Sequence, residues 1–170
     1  MKFLNRTLVH GALLACLFIG SNAYVLADGS AHHHDSAVPA TSYRAASSGT
    51  QELVSGPVSI KMLLDASNLG SEEIEVGELN LPAGYDGGPN SAHAHDSLEI
   101  FYVVEGWLGH EVNGIEHILK PGDLGFVKPG DKIRHWVPSD VPLKALVIWL
   151  PGGEAGRLLE HAGFKAQPVK

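Results

Sequence analysis

From Val58 to Leu150 the chain runs as short apolar segments cut at regular intervals by Gly, Pro, Asn and Asp. That rhythm predicts many short strands joined by turns, and therefore a β-sandwich or β-barrel. Val58, Ile60, Met62 and Leu64 alternate with Ser59, Lys61, Leu63 and Asp65, an imperfect period of two. Asn68–Glu72 reads as a turn, Ile74–Leu81 as a strand and Pro82–Asn90 as a Gly/Pro loop. Further strands are expected at Ser97–Glu105, Trp107–Val112, Ile115–Lys120, Leu124–Val127, Lys132–Val137 and Leu143–Leu150. Asn113-Gly114 fits a two-residue hairpin turn, because both residue types tolerate the positive φ that such turns need. Glu154–Ala162 is the one good helix candidate. No internal repeat is visible, so a single domain is expected over residues 53–170.

Residues 1–27 are expected to lie outside that domain. Lys2 and Arg6 flank the start of an apolar stretch, Leu8–Gly20, that is short for a bilayer span. Val25-Leu26-Ala27 then offers a cleavage site, with Ser21-Asn22-Ala23 as a second choice. This is the pattern of a secretory signal peptide, which predicts a periplasmic or secreted protein. A retained anchor and a lipoprotein, with Leu13-Leu14-Ala15-Cys16 as lipobox, are the alternatives. Cys16 is the only cysteine, so cleavage after Ala27 leaves stability to a packed core rather than to disulfides.

The formal net charge is −7, and losing Lys2 and Arg6 would make it −9. An acidic chain without a basic cluster argues against nucleic acid and anionic membrane surfaces as partners. Residues 28–52 are rich in Ala, Ser, Gly and His without apolar period, and read as a flexible linker. His32-His33-His34-Asp35 within it could scavenge a transition ion, but a tract without a scaffold fixes no catalytic geometry.

The chemistry concentrates in residues 87–106, GGPNSAHAHDSLEIFYVVEG. On an extended strand His93 and His95 would share a face, and Glu99, a further even step along, would return its carboxylate to it. Two His and one carboxylate with open positions is the facial arrangement of mononuclear non-haem iron sites. A carboxylate inside a barrel is costly without a cation or hydrogen-bond donors. That cost favours a metal over the alternative, two structural histidines hydrogen-bonded to Glu99.

The spacing Gly87, five residues, His93-x-His95, three residues, Glu99, six residues, Gly106 resembles the first motif of the cupins. A second candidate motif runs from Pro121-Gly122-Asp123 to Lys128-Pro129-Gly130, and the fifteen residues between Gly106 and Gly122 resemble the shortest spacing in microbial cupins. The resemblance covers roughly Val58 to Pro151. It implies an all-β double-stranded β-helix, a jelly-roll cupin barrel, with a short C-terminal helix. It also implies one divalent transition metal (Fe, Mn or Ni first, Zn or Cu as alternatives) and a homodimer.

The implied metal ligands are His93, His95, Glu99 and a His of the second motif. There the chain departs from the family pattern of Pro-x-Gly, two residues, His. Lys128 stands in place of the proline, Ile133 falls in the ligand register and His135 comes two residues late. Either a bulge near Lys132 brings His135 to the metal, or Ile133 fills the slot and His135 sits about 6–7 Å further along the strand. His135 shares a face with Ile133 in both cases, and we take it as the fourth ligand.

A hairpin at Asn113-Gly114 pairs Val112 with Ile115, His110 with His117 and Leu108 with Leu119. If that apolar face points inward, His110 and His117 are neighbours inside the barrel, as an acid/base pair or as two hydrogen-bonded interior histidines. Trp107, Trp136 and Trp149 are assigned to packing.

The chain is thus similar to small stand-alone cupins of the quercetin-dioxygenase-like kind. The first expectation is a metal-dependent, dioxygenase-like enzyme acting on a small oxygen-rich molecule. The alternatives are an isomerase, lyase or decarboxylase using the metal as a Lewis acid, or a non-catalytic periplasmic cupin that binds a small molecule or metal. A metal-free structural barrel is a third, weaker possibility.

Overall fold

A computed structural model of the chain describes residues 48–88 and 91–169. The expected signal segment and the His32–His34 tract lie outside the described residues. The elements are β1 (Gln51–Ser55), β2 (Val58–Leu64), α1 (Ala66–Leu69), β3 (Glu75–Leu81), β4 (Leu98–Glu105), β5 (Leu108–Val112), β6 (Ile115–Leu119), β7 (Leu124–Val127), β8 (Ile133–Trp136), β9 (Leu143–Leu150), α2 (Glu154–His161) and β10 (Lys165–Gln167). Seven strands in the order β10-β1-β2-β3-β9-β4-β7 form one sheet, and β6-β5-β8 form the second. The paired strands are antiparallel. The expected all-β jelly roll with a short C-terminal helix is what the chain adopts.

Strict alternation builds the core. In β3 and β9 every second residue is buried, so Leu79, Leu81, Leu143, Ala145, Val147 and Trp149 line one face. Phe101 and Val103 from β4, Leu53 from β1 and Leu108 from β5 complete it. Each of the larger side chains contributes about 1.5–3 kcal/mol by leaving water. Gly77 keeps β3 bare where a Cβ would come within 2.6 Å of Ile60 Cγ2.

The hairpin forms as expected. Asn113 and Gly114 have φ of 51° and 83°, and the pairs Val112–Ile115, His110–His117 and Leu108–Leu119 are in register. Its orientation differs from the expectation. His110 is buried, but His117 is exposed, so the two are not an interior pair. The reason is position: β6 is the outer strand of the smaller sheet, and its Ile115 is 64% exposed.

Two further differences concern the ends. Gln51 and Glu52 belong to β1, and β10 pairs with that strand across Leu53–Ala166. The turn expected over Asn68–Glu72 begins inside α1, which takes Asn68 and Leu69 and which Asp65 caps by accepting from Ser67 N–H at 2.9 Å. The Asp65 carboxylate also accepts from Thr50 Oγ1, which ties the approach to β1 onto the end of β2.

Candidate metal centre

His93 and His95 do not sit on a regular strand. Their segment enters β4, and His93 makes an isolated antiparallel bridge to Ile133. The two residues exchange both backbone hydrogen bonds, at 2.9 and 2.8 Å. Glu99 lies in β4 and points inward, buried beside Phe101. Ile133 is therefore the residue opposite His93. No bulge interrupts β8, which pairs with β5 in steady register from Ile133 to Trp136. His135 still reaches the cluster: its ring centroid is 5.5 Å from that of His93 and 5.1 Å from that of His110. The rings of His93 and His95 are 4.8 Å apart.

Each motif residue has one polar atom tied to protein and another left over. His93 Nδ1 donates to the Ser91 carbonyl at 2.7 Å, leaving Nε2 as an acceptor. His95 Nδ1 lies 3.0 Å from Glu154 Oε2. Glu99 Oε1 accepts from the Trp149 indole at 2.9 Å. By contrast His95 Nε2, Glu99 Oε2 and His135 Nδ1 are buried without a hydrogen-bond partner. His95 Nε2 and Glu99 Oε2 lie 3.3 Å apart but not in hydrogen-bonding geometry. Two donors each about 2.1 Å from a common ion at right angles would be separated by about 3.0 Å.

Burial drives His135 well below its ordinary pKa, helped by the neighbouring imidazoles of His110, His93 and His95, so it stays neutral. Burial likewise lowers His93 and His110. Burial would lower His95 too, but the hydrogen bond to Glu154 and the nearby carboxylate of Glu99 overcome it and raise the pKa to about 9. A cation on Nε2 would take the place of that extra proton.

These donors suit a divalent transition ion in chemistry: neutral imidazoles, a carboxylate and outer partners that fix each ring. Among the described residues no three His, Cys, Asp or Glu side chains are grouped closely enough to ligate one ion as they stand. His93, His95, Glu99 and His135 are thus a candidate donor set rather than a formed site.

The sequence reading did not find two residues of this cluster, Glu154 and Arg157. Glu154 opens α2 and is buried, and Arg157 Nε donates to its carboxylate. Burial would raise the Glu154 pKa, but hydrogen bonds from His95 and Arg157 hold it below the ordinary value. Helix α2 is pinned by a second buried acid, since Glu75 Oε2 accepts from Ala155 N–H at 3.0 Å. The only signal in the chain was Glu154 and Arg157 three apart in a helix, which is indistinguishable from a surface pair.

A cavity of about 380 Å3 opens beside the donor set. His93, His95, Glu99 and His135 form its polar floor, with apolar walls from side chains such as Phe101, Val147 and Phe164. Neither His110 nor His117 lines it.

An antiparallel barrel with inward imidazoles and a carboxylate beside a cavity defines the double-stranded β-helix class. The cupin domain model matches residues 77–149, and that part of the chain is a cupin domain. It is similar to an RmlC-like cupin from Shewanella frigidimarina, at 24% identity and a TM-score of 0.52 over 64% of this chain and 88% of that one. A predicted oxalate decarboxylase from Thermotoga maritima matches at 23% identity and a TM-score of 0.52, covering 64% and 96%. KdgF from a Halomonas species matches at 17% identity and a TM-score of 0.52, covering 63% and 92%. These likenesses are of fold. No curated protein sequence matches the chain.

Proposed function

We propose that the chain is a metal-dependent cupin enzyme, dioxygenase-like, acting on a small oxygen-rich molecule. The observation that carries this reading is the split use of His93, His95 and Glu99, each with one atom held by protein and another left over, in residues that line a cavity together with His135. His93, His95, Glu99 and His135 would hold one Fe, Mn or Ni ion. Such an ion would polarise a bidentate oxygen ligand and, if redox-active, support reaction with dioxygen. The protein's share is to orient the donors through Ser91, Glu154 and Trp149 and to enclose the ligand in apolar walls. We place this protein in the periplasm or outside the cell, from its N-terminal pattern.

A non-catalytic binding module is the second reading. It is favoured by the lining of the cavity, where among the described residues every His, Asp and Glu belongs to the donor set. Among the described residues the cavity then offers a bound ligand no separate imidazole or carboxylate base for proton transfer.

We also propose a homodimer through the outer face of β4 and β7. Leu124 and Phe126 are 60% and 59% exposed there, next to Tyr102 at 43%. An apolar patch on an edge strand of this kind is expected to be covered.

The deciding experiment is elemental analysis of a version starting at Ser48, which keeps Thr50 and omits His32–His34. Near one equivalent of a transition metal supports the enzyme and justifies oxygen-uptake assays with enols and flavonols. A barrel that stays metal-free after reconstitution rejects it in favour of a ligand-binding module.

A further inference from the structure

Arg157 is the only Lys or Arg among the described residues lining the cavity, and its side chain is 29% exposed. Its Nε donates to Glu154, and its Nη2 lies 3.1 Å from His95 Nδ1. That nitrogen cannot serve both neighbours. With His95 Nε2 left free to ligate, Nδ1 carries the proton and gives it to Glu154, so it accepts nothing from Arg157. Nε and Nη2 make up one edge of the guanidinium. The other fork, Nη1 with the outer N–H of Nη2, has no acceptor among the described residues.

A free guanidinium fork matches a carboxylate in shape and charge. The charges of the cluster agree. Glu99 and Glu154 supply two negative charges, and Arg157 with a divalent ion supplies three positive ones. One positive charge then remains, which a monoanion would neutralise. Much of the cavity wall is apolar: Leu81, Phe101, Val147 and Phe164 line it together with Arg157. We propose that Arg157 is the carboxylate-recognising residue of the cavity, and that the ligand is a small monocarboxylate with an apolar body. This goes beyond the functional reading above and rests only on its assignment of the cavity as the ligand site.

The test is calorimetric titration of the full chain, metal-free and Mn(II)-loaded. The probes are propanoate, benzoate and 3-phenylpropanoate, each beside its primary amide. At least one acid should bind about tenfold or more tightly than its amide, a difference readily resolved by titration. Arg157→Gln should lose that preference, so that acid and amide bind within about twofold of each other, and Arg157→Lys should fall between. No acid binding better than its amide overturns the proposal, and so does a preference that survives in Arg157→Gln, since the metal alone would then hold the anion. The acid–amide comparison in the parent needs no variant, so misfolding of Arg157→Gln does not protect the proposal. A chain that prefers the acid yet takes up no metal keeps Arg157 in this role and removes the metal-dependent reading.

Discussion

The indole N–H of Trp149 donates to Oε1 of Glu99 at 2.9 Å, between neighbouring strands that pair these two residues directly. The bond fixes which carboxylate oxygen is spoken for and turns the other toward His95. Trp149→Phe keeps most of the packing and removes the donor. Loss of a buried hydrogen bond to a charged group should cost about 1.5–3 kcal/mol, and metal affinity should fall by about 10–100-fold. Urea unfolding and chelator competition measure the two effects; unchanged metal affinity would detach Trp149 from the site.

Glu154 holds His95 from the other side. Glu154→Gln retains the size of the side chain but removes its charge, and metal affinity should again drop by about 10–100-fold with little change in the far-ultraviolet dichroism. An unaltered dissociation constant would mean that α2 merely covers the barrel.

Alanine substitution separates the donor set. His93→Ala and Glu99→Ala should each abolish stoichiometric metal binding, read by elemental analysis after desalting. His135→Ala should weaken it. If the first two retain a full equivalent, the donor assignment is wrong.

The metal-free protein should lose stability on both sides of a maximum near neutral pH. His95 has a folded pKa raised to about 9 from 6.5, so its contribution is complete below 6.5 and is lost as pH rises through 9. His135 is shifted the other way, so its contribution is present above 6.5 and is lost as pH falls below it. Melting temperatures across pH should therefore show an alkaline limb that flattens in His95→Gln and an acid limb that flattens in His135→Leu. An alkaline limb of equal slope in His95→Gln would exclude His95 as its source.

Phe126 tests the outer face. Phe126→Glu places a charge in the centre of the exposed patch formed with Leu124 and Tyr102. Sedimentation should show a dimer in the parent and a monomer in the variant, with the melting temperature of the isolated barrel little changed. A monomeric parent would reject the interface.

The barrel was legible because its strands obey strong local rules. β9 was predicted to the residue, since Leu143–Leu150 is an apolar run broken only by Lys144 and flanked by Pro142 and Pro151. The hairpin register followed from Asn113-Gly114. β1 and β10 were missed because both are short and carry little apolar pattern: Leu53 is their one core side chain, and backbone pairing of β1 with β2 and with β10 holds them in place. The side on which β6 is exposed was not legible either, because alternation cannot say whether a second sheet covers a strand. The motif named His93, His95 and Glu99, whereas the partners Glu154 and Trp149 are brought in by tertiary contact from much later in the chain.

Helix α2 follows the last long strand and brings Glu154 back onto His95. The group that orients His95 therefore comes later in the chain than every strand of the barrel except β10. A growing chain that has emerged only as far as Pro151 already carries β1–β9, but its His95 still lacks the carboxylate that orients it. The ring that lines the cavity is set in its final orientation only once the residues beyond Gly153 have docked.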